Sequence, residues 1–230
     1  MTDLHTHILP GIDDGAKSIE EALALLRAQA NQGVDTVALT PHFYKRRNDA
    51  ADFLARREVA WRQLLEATKD IECPNLLLGA EVAWVSGMTQ WPELEALCYQ
   101  GTKILLVELP MIPWTDSIFR ELYSLEARRG VTPMIAHLDR YLHLQKKRDI
   151  QKLLEMGYPV QVSAEALSHF YLRKQALEWL EKYDGLLISD CHNLDDRAPN
   201  LSNAMKIIEK KLGGRIAGRI AAVTDEVLDD

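Results

Sequence analysis

A short apolar segment followed by a longer amphipathic one recurs along this chain, and that alternation leaves few folds open. Segments 2–7, 34–40, 76–82, 104–109, 132–137, 159–163 and 186–190 are short, rich in leucine or branched residues, and apolar on both faces, as strands of a covered parallel sheet must be. Helical patterns lie between them. Ser18-Ile19-Glu20-Glu21 reads as an N-cap with carboxylates in the first turn of a helix that ends near Gly33. Segments 49–68, 117–129, 145–156 and 169–183 follow, with Gly130, Gly157 and Gly185 where C-caps belong. Such alternation predicts a parallel α/β fold. Seven βα units within roughly 200 residues fit a small, distorted seven-stranded (β/α) barrel better than an open sheet. A turn-containing stretch, 213–218, leads to a C-terminal helical tail with an acidic end, Asp229-Asp230. All of residues 1–230 is expected to form one domain.

The C-terminal ends of these segments carry a second pattern. Segment 2–7 ends in His5-Thr6-His7, the next at Thr40-Pro41-His42, and the third at Gly79-Ala80-Glu81. The fourth ends at Val107-Glu108, the fifth at Ala136-His137, and the seventh at Ser189-Asp190-Cys191-His192. Only the sixth, ending near Ser163, brings no strong ligand. In a barrel these ends converge on the face where active sites lie. His5 and His7 are two apart in a strand, so they share a face and can reach one ion; Asp190 and His192 repeat the spacing. Carboxylates are rarely buried unpaired, yet Glu81 and Glu108 sit in otherwise apolar strands. The donor set is nitrogen and oxygen only, which suits Mn, Zn, Fe or Co rather than a thiolate site. Eight such side chains exceed the needs of one ion and imply two or three; Asp14, in the loop Gly11-Ile12-Asp13-Asp14-Gly15, is a further candidate. His143 and His169 fall outside the pattern and read as surface residues.

Composition narrows the function. Apolar residues make up 47% of the chain and charged residues 27%, ordinary values for a globular protein. The net charge of −7 argues against a general affinity for nucleic acid or anionic membrane, though bound divalent ions can reverse the local sign for an anionic substrate. The N-terminus has no signal-peptide pattern, no stretch is apolar enough to span a membrane, and three widely spaced cysteines argue against a disulfide framework. A cytoplasmic location is expected. The stretch Cys191–Arg197 has the C-x5-R spacing of cysteine-dependent phosphatases. It lacks glycine and places Asp195 and Asp196 where phosphate would lie, so Cys191 reads instead as a small buried filler between two ligands.

The stretches Asp3-Leu4-His5-Thr6-His7-Ile8-Leu9-Pro10-Gly11-Ile12-Asp13-Asp14-Gly15, Thr40-Pro41-His42, Gly79-Ala80-Glu81, His137-Leu138-Asp139-Arg140-Tyr141 and Ser189-Asp190-Cys191-His192-Asn193 resemble the polymerase and histidinol phosphatase (PHP) superfamily. Within it they are most similar to the bacterial manganese-dependent protein-tyrosine phosphatases of capsular and exopolysaccharide synthesis. The resemblance implies a distorted seven-stranded barrel with up to three metal ions, Mn²⁺ by expectation. It implies that His5, His7, Glu81 and Asp190 hold one ion, and that Glu81 bridges to a second held with His42, Glu108 and His137. Asp14 and His192 would contribute to a third, with Arg140 and Arg197 near the substrate phosphate. Two departures are visible: Leu138-Asp139 stands where Pro-Glu is usual, and Cys191 where alanine is common. Neither removes a ligand.

The implied reaction is attack on phosphorus by a metal-bridged hydroxide, with the two arginines fixing the phosphate by forked hydrogen bonds. His42 or His192 could assist protonation of the leaving group. The implied partner is a bacterial tyrosine kinase. The alternatives are a small-molecule phosphatase of the same superfamily, acting on histidinol phosphate or a nucleotide, and a phosphodiesterase. A catalytically silent binding module is disfavoured by the full set of donors.

Overall fold

The computed structural model describes residues 1–228, so the acidic pair Asp229-Asp230 lies outside the described residues. Its strands are β1 (Thr2–Thr6), β2 (Thr36–Leu39), β3 (His42–Phe43), β4 (Asn75–Leu78), β5 (Glu81–Ala83), β6 (Ile104–Glu108), β7 (Thr132–Ile135), β8 (Gln161–Ser163) and β9 (Leu186–Ile188). Every pairing between them is parallel.

Two of the seven expected strands are broken in the middle. Segment 34–40 becomes β2 and β3, separated at Thr40-Pro41, and segment 76–82 becomes β4 and β5, separated at Gly79-Ala80. Pro41 has no N–H for a ladder. At Gly79 a Cβ would stand 3.1 Å from the Tyr99 ring, a tight contact that would push the ring back by a few tenths of an ångström. The breaks transfer the pairing from one ladder, β1-β2-β4, to another, β3-β5-β6-β7, in which His42 lies opposite Glu81. The remaining ladder is β8-β9.

Hydrogen bonds join the three ladders into a ring. Ile135 N donates to Pro159 O at 2.8 Å, linking β7 to β8. Asp190 N donates to His5 O at 3.0 Å and His7 N to Cys191 O at 2.9 Å, linking the end of β9 to β1. First and last strands therefore meet, and the fold is the distorted seven-position barrel expected. A small cluster of Leu4, Ala38, Leu106, Met134 and Ile188, drawn from five strands, fills it, with Val223 packed alongside. A larger apolar cluster lies between strands and helices.

The helices begin where the residues direct. Ser18 caps α1 (Ile19–Ala30), its hydroxyl accepting from Glu21 N, and Asp49 caps α2 (Ala50–Thr68), accepting from Ala51 N and Asp52 N. Gly130 ends α3 (Asp116–Arg129) at φ 60°. After α4 (Lys147–Glu155) the chain adds a short helix not expected, α5 (Ala164–Ser168), before α6 (Phe170–Lys182). Gly185 is not the left-handed residue after α6; Asp184 takes that conformation, while a Cβ at Gly185 would stand a tight 3.2 Å from the Trp179 backbone. The tail also differs from expectation. It is two helices, α7 (Leu201–Leu212) and α8 (Gly214–Glu226), and the supposed turn 213–218 is a break at Gly213 alone. Among the described residues, no helix is long and apolar enough to cross a membrane.

Candidate metal centre

The ends of β1, β3, β5, β6, β7 and β9 bring their polar side chains to one place. His5 and His7 are fully buried, and their Nε2 atoms face each other at 3.2 Å. Each ring is fixed from behind. His5 Nδ1 lies 2.7 Å from Gln161 Oε1, an acceptor, and His7 Nδ1 lies 2.7 Å from Asp13 Oδ2. The Nδ1 protons are therefore engaged, and in the neutral rings both Nε2 atoms present lone pairs. Two lone pairs at that separation repel unless a cation lies between them.

Carboxylates complete the arrangement. Glu81 Oε2 is 3.3 Å from His5 Nε2 and 3.5 Å from His7 Nε2, and Asp190 Oδ1 is 3.6 Å and 3.3 Å from the same two atoms. Donors at ~2.1 Å from one ion stand roughly 3.0–3.4 Å apart, and these spacings lie at or just above that range. Glu81 also reaches the next group: Oε2 is 2.7 Å from His42 Nδ1 and Oε1 is 2.8 Å from His137 Nε2. Neither Glu81 Oε2 nor His42 Nδ1 has a hydrogen-bond alignment with any described residue, although both atoms are buried. Glu108 Oε1 stands 3.9 Å from His137 Nε2. Asp14 Oδ1 is 3.5 Å from the Nε2 atoms of both His42 and His192. His192 Nδ1 donates to Asp190 O at 2.9 Å, which leaves its buried Nε2 another unpartnered lone pair. Three groups thus have the donor spacing for an ion: His5, His7 and Glu81; His42, Glu81 and Glu108; and His7, Asp14, His42 and His192.

The electrostatics agree. Burial opposes charge on Glu81, but the His5 charge and contacts from His137 and His42 hold its carboxyl well below the ordinary range. Burial likewise opposes charge on Asp190, which His5, His7 and Arg140 keep ionised. Burial alone would depress His7, yet Asp13 and Asp190 raise it to about 10. Glu108 moves the other way, raised by burial and then by the Glu81 charge. Without ions, protons on the histidines balance the carboxylates; divalent cations would take over that role.

Arg140 and Arg197 sit above the cluster, with side chains 33% and 30% exposed. Both donate to Asp190 Oδ2, Arg140 through Nη2 and Arg197 through Nη2 at 2.9 Å. They form a cationic rim over the buried donors. Two candidate ligand positions hold strained backbone, His137 at φ 28° and Asp190 at φ 53°, as is common where a site dictates side-chain direction.

Two supporting residues were not singled out in the sequence. Asp13, next to the candidate Asp14, receives His7 Nδ1, His42 N and Gly15 N. Gln161 comes from the sixth strand position, which contributes no ligand, and holds His5. An Asp-Asp pair offers either residue for either role, and a neutral glutamine in a strand carries no ligand signal. Replacing Gln161 by Leu is expected to weaken metal affinity by about 10–100-fold, because the His5 ring loses its orienting acceptor. Competition against a chromogenic chelator measures this, and unchanged affinity would rule the role out. Gly15 closes the same loop: a Cβ there would stand 1.8 Å from His7 O. Gly15→Ala should therefore cost about 3 kcal/mol or more, read as a fall in the denaturation midpoint.

Cys191 is fully buried, with its thiol pushed up by burial and then by the nearby Asp3 carboxyl. The backbone amides of His192 and Asn193 point at Arg197 O, so this C-x5-R stretch makes no anion cradle. His143 is exposed, and His169, also exposed, pairs with Glu165.

Known proteins resemble this chain in sequence and in fold. The family described as capsular polysaccharide synthesis, CpsB/CapC, matches residues 1–228. Tyrosine-protein phosphatase CpsB of Streptococcus pneumoniae is 31% identical over 234 residues, covering 94% of this chain and 93% of its own. Tyrosine-protein phosphatase YwqE of Bacillus subtilis is 28% identical over 233 residues, covering 94% and 87%. A crystal structure from work on YwqE and the S. pneumoniae CpsB, described as metal-dependent tyrosine phosphatases, superimposes with a TM-score of 0.81 at 24% identity, covering 100% of this chain and 94% of that one. An organophosphorus hydrolase from Deinococcus radiodurans shares the fold more distantly, with a TM-score of 0.56 at 15% identity over 99% of this chain and 92% of its own.

Proposed function

Since the chain belongs to the capsular polysaccharide synthesis family CpsB/CapC, we propose that it is a metal-dependent phosphomonoesterase that removes phosphate from tyrosine in protein. The main support is one arrangement: the Nε2 atoms of His5 and His7 facing the Glu81 and Asp190 carboxylates, beneath two arginines. His5, His7, Glu81 and Asp190 would hold one ion and His42, Glu81, Glu108 and His137 a second, with Asp14 and His192 serving a third. We take manganese as the ion, with iron, zinc or cobalt able to use the same donors. When bound, the ions supply a nucleophile at neutral pH and offset charge on the phosphoryl oxygens.

The residues of the chain do the rest. Arg140 and Arg197 present forked donors that grip and orient the phosphate. His192 serves as a ligand rather than an acid, since its Nδ1 proton is engaged by Asp190 O. His42, 14% exposed, would be the more accessible of the two histidines for passing a proton to the leaving oxygen. A phenolate leaves comparatively easily, which suits a site with no other obvious acid. The exposed Asp14 and half-open arginines support a phosphate position near the surface, where a phosphotyrosine on a large chain would enter. The natural substrate would be a bacterial tyrosine kinase, met in the cytoplasm.

The test is hydrolysis of a phosphotyrosine peptide and of histidinol phosphate in parallel, with Mn²⁺, with a chelator, and with Cys191→Ser. The expected result is peptide cleavage that the chelator abolishes and that Cys191→Ser retains. A strong preference for histidinol phosphate would replace the substrate, and loss of turnover in Cys191→Ser with resistance to chelator would overturn the mechanism.

A further inference from the structure

Beside the metal centre lies a hollow of about 400 Å³, open to solvent, that the reaction does not use. Its apolar walls include Trp84, Pro110 and Ile112, the last 63% exposed. It adjoins the site directly. Trp84 N donates to Glu108 O at 2.8 Å, and the Tyr44 ring, on the hollow's border, lies 5.2 Å from the His42 ring.

One side of the hollow is basic. Lys45, Arg46 and Arg47 follow Tyr44 without interruption and line it. None of the three pairs with a carboxylate among the described residues; Arg47 lies over the Tyr44 ring and Lys45 over the Trp91 ring instead. Three adjacent unneutralised cations stand out on a chain of net charge −7. Surface cations of this kind attract and orient an oppositely charged partner.

We propose that this hollow and its basic rim dock the polypeptide on either side of the phosphotyrosine, and that they select substrate chains with acidic residues close to that tyrosine. The inference rests on the phosphotyrosine phosphatase function proposed above. Charge complementarity supplies the occupant: acidic side chains oppose the 45–47 rim, while an apolar neighbour enters between Trp84 and Ile112. Continuity with the metal centre through Tyr44 and Trp84 lets one peptide span both places.

Three phosphotyrosine peptides, identical except for glutamate, alanine or lysine flanks, test this with the full-length chain in Mn²⁺. The native protein should prefer the glutamate peptide over the alanine one by about tenfold in kcat/KM, chiefly through KM, and salt should narrow the gap. The double variant Arg46→Glu, Arg47→Glu should reverse the order and favour the lysine peptide. Because the readout is a ratio between peptides on one preparation, loss of folded protein cannot imitate it. Equal rates on the three peptides, or an acidic preference that survives the double variant, would overturn the docking surface and leave the phosphatase function standing. If p-nitrophenyl phosphate is hydrolysed and no peptide is, the phosphotyrosine function falls and the docking surface with it.

Discussion

Replacement of Glu81 by Gln is expected to lower turnover of a phosphotyrosine peptide by about 10³-fold or more, beyond the 10²–10³ lost with a single transition-state donor. Its carboxylate is the hub of the cluster, within 3.5 Å of ring nitrogens on His5, His7, His42 and His137. An amide there offers one oxygen and no charge, so the two groups of donors that share Glu81 lose their common ligand. Metal content by elemental analysis should fall together with turnover. The metal-free variant should also be less stable than the metal-free parent by about 3–5 kcal/mol, because the buried histidines lose their balancing charge. Native metal content with native turnover would remove Glu81 from the centre.

The second large effect is expected at the rim. Arg140→Ala should reduce kcat/KM by about 10²–10³-fold while leaving metal content near the native level. Arg140→Lys should recover little of it, since an ammonium cannot reproduce the fork that meets two phosphate oxygens. Arg197→Ala should act in the same direction. Asp190 Oδ2 accepts from both guanidiniums, so phosphate must compete with this carboxylate for their donors. Weaker inhibition by inorganic phosphate in both variants would place the arginines on the substrate. Retained phosphate inhibition with lost metal would make them supports of Asp190 instead.

That these side chains gather in one place is legible in the sequence because two periodicities coincide. A strand places alternate residues together, and a barrel brings strand ends together, so His5-Thr6-His7 and Asp190-Cys191-His192 could be assigned to one place. Glu81 was conspicuous as a charge in an apolar strand. The orienting residues escaped because they carry no such contrast: Gln161 is neutral, and Asp13 and Asp14 are neighbours whose roles depend on the turn at Gly15. The breaks at Pro41 and Gly79 were hidden for another reason. Apolar runs pass through both, and the change of partner there depends on the neighbouring strands β1 and β6, which lie elsewhere in the sequence. In the tail, Gly214 and Gly218 argued for a turn on propensity alone, yet packing of Ala217 and Ile220 against the core keeps both within α8.

The meeting of β1 with the end of β9 has a consequence for how the molecule assembles. Donors within a few ångströms of one another, His5 and Asp190 among them, are separated by most of the chain. During synthesis His5 and His7 are made long before Asp190 and His192, so the cluster cannot be completed until the last strand has emerged. Closing so long a loop is slow, and it is the step that an ion shared by His5, His7 and Asp190 would favour. The metal would then act as a clasp as well as a reagent. Its removal from the finished protein should loosen the seam between β9 and β1 before the central strands, a sequence that hydrogen exchange can follow strand by strand.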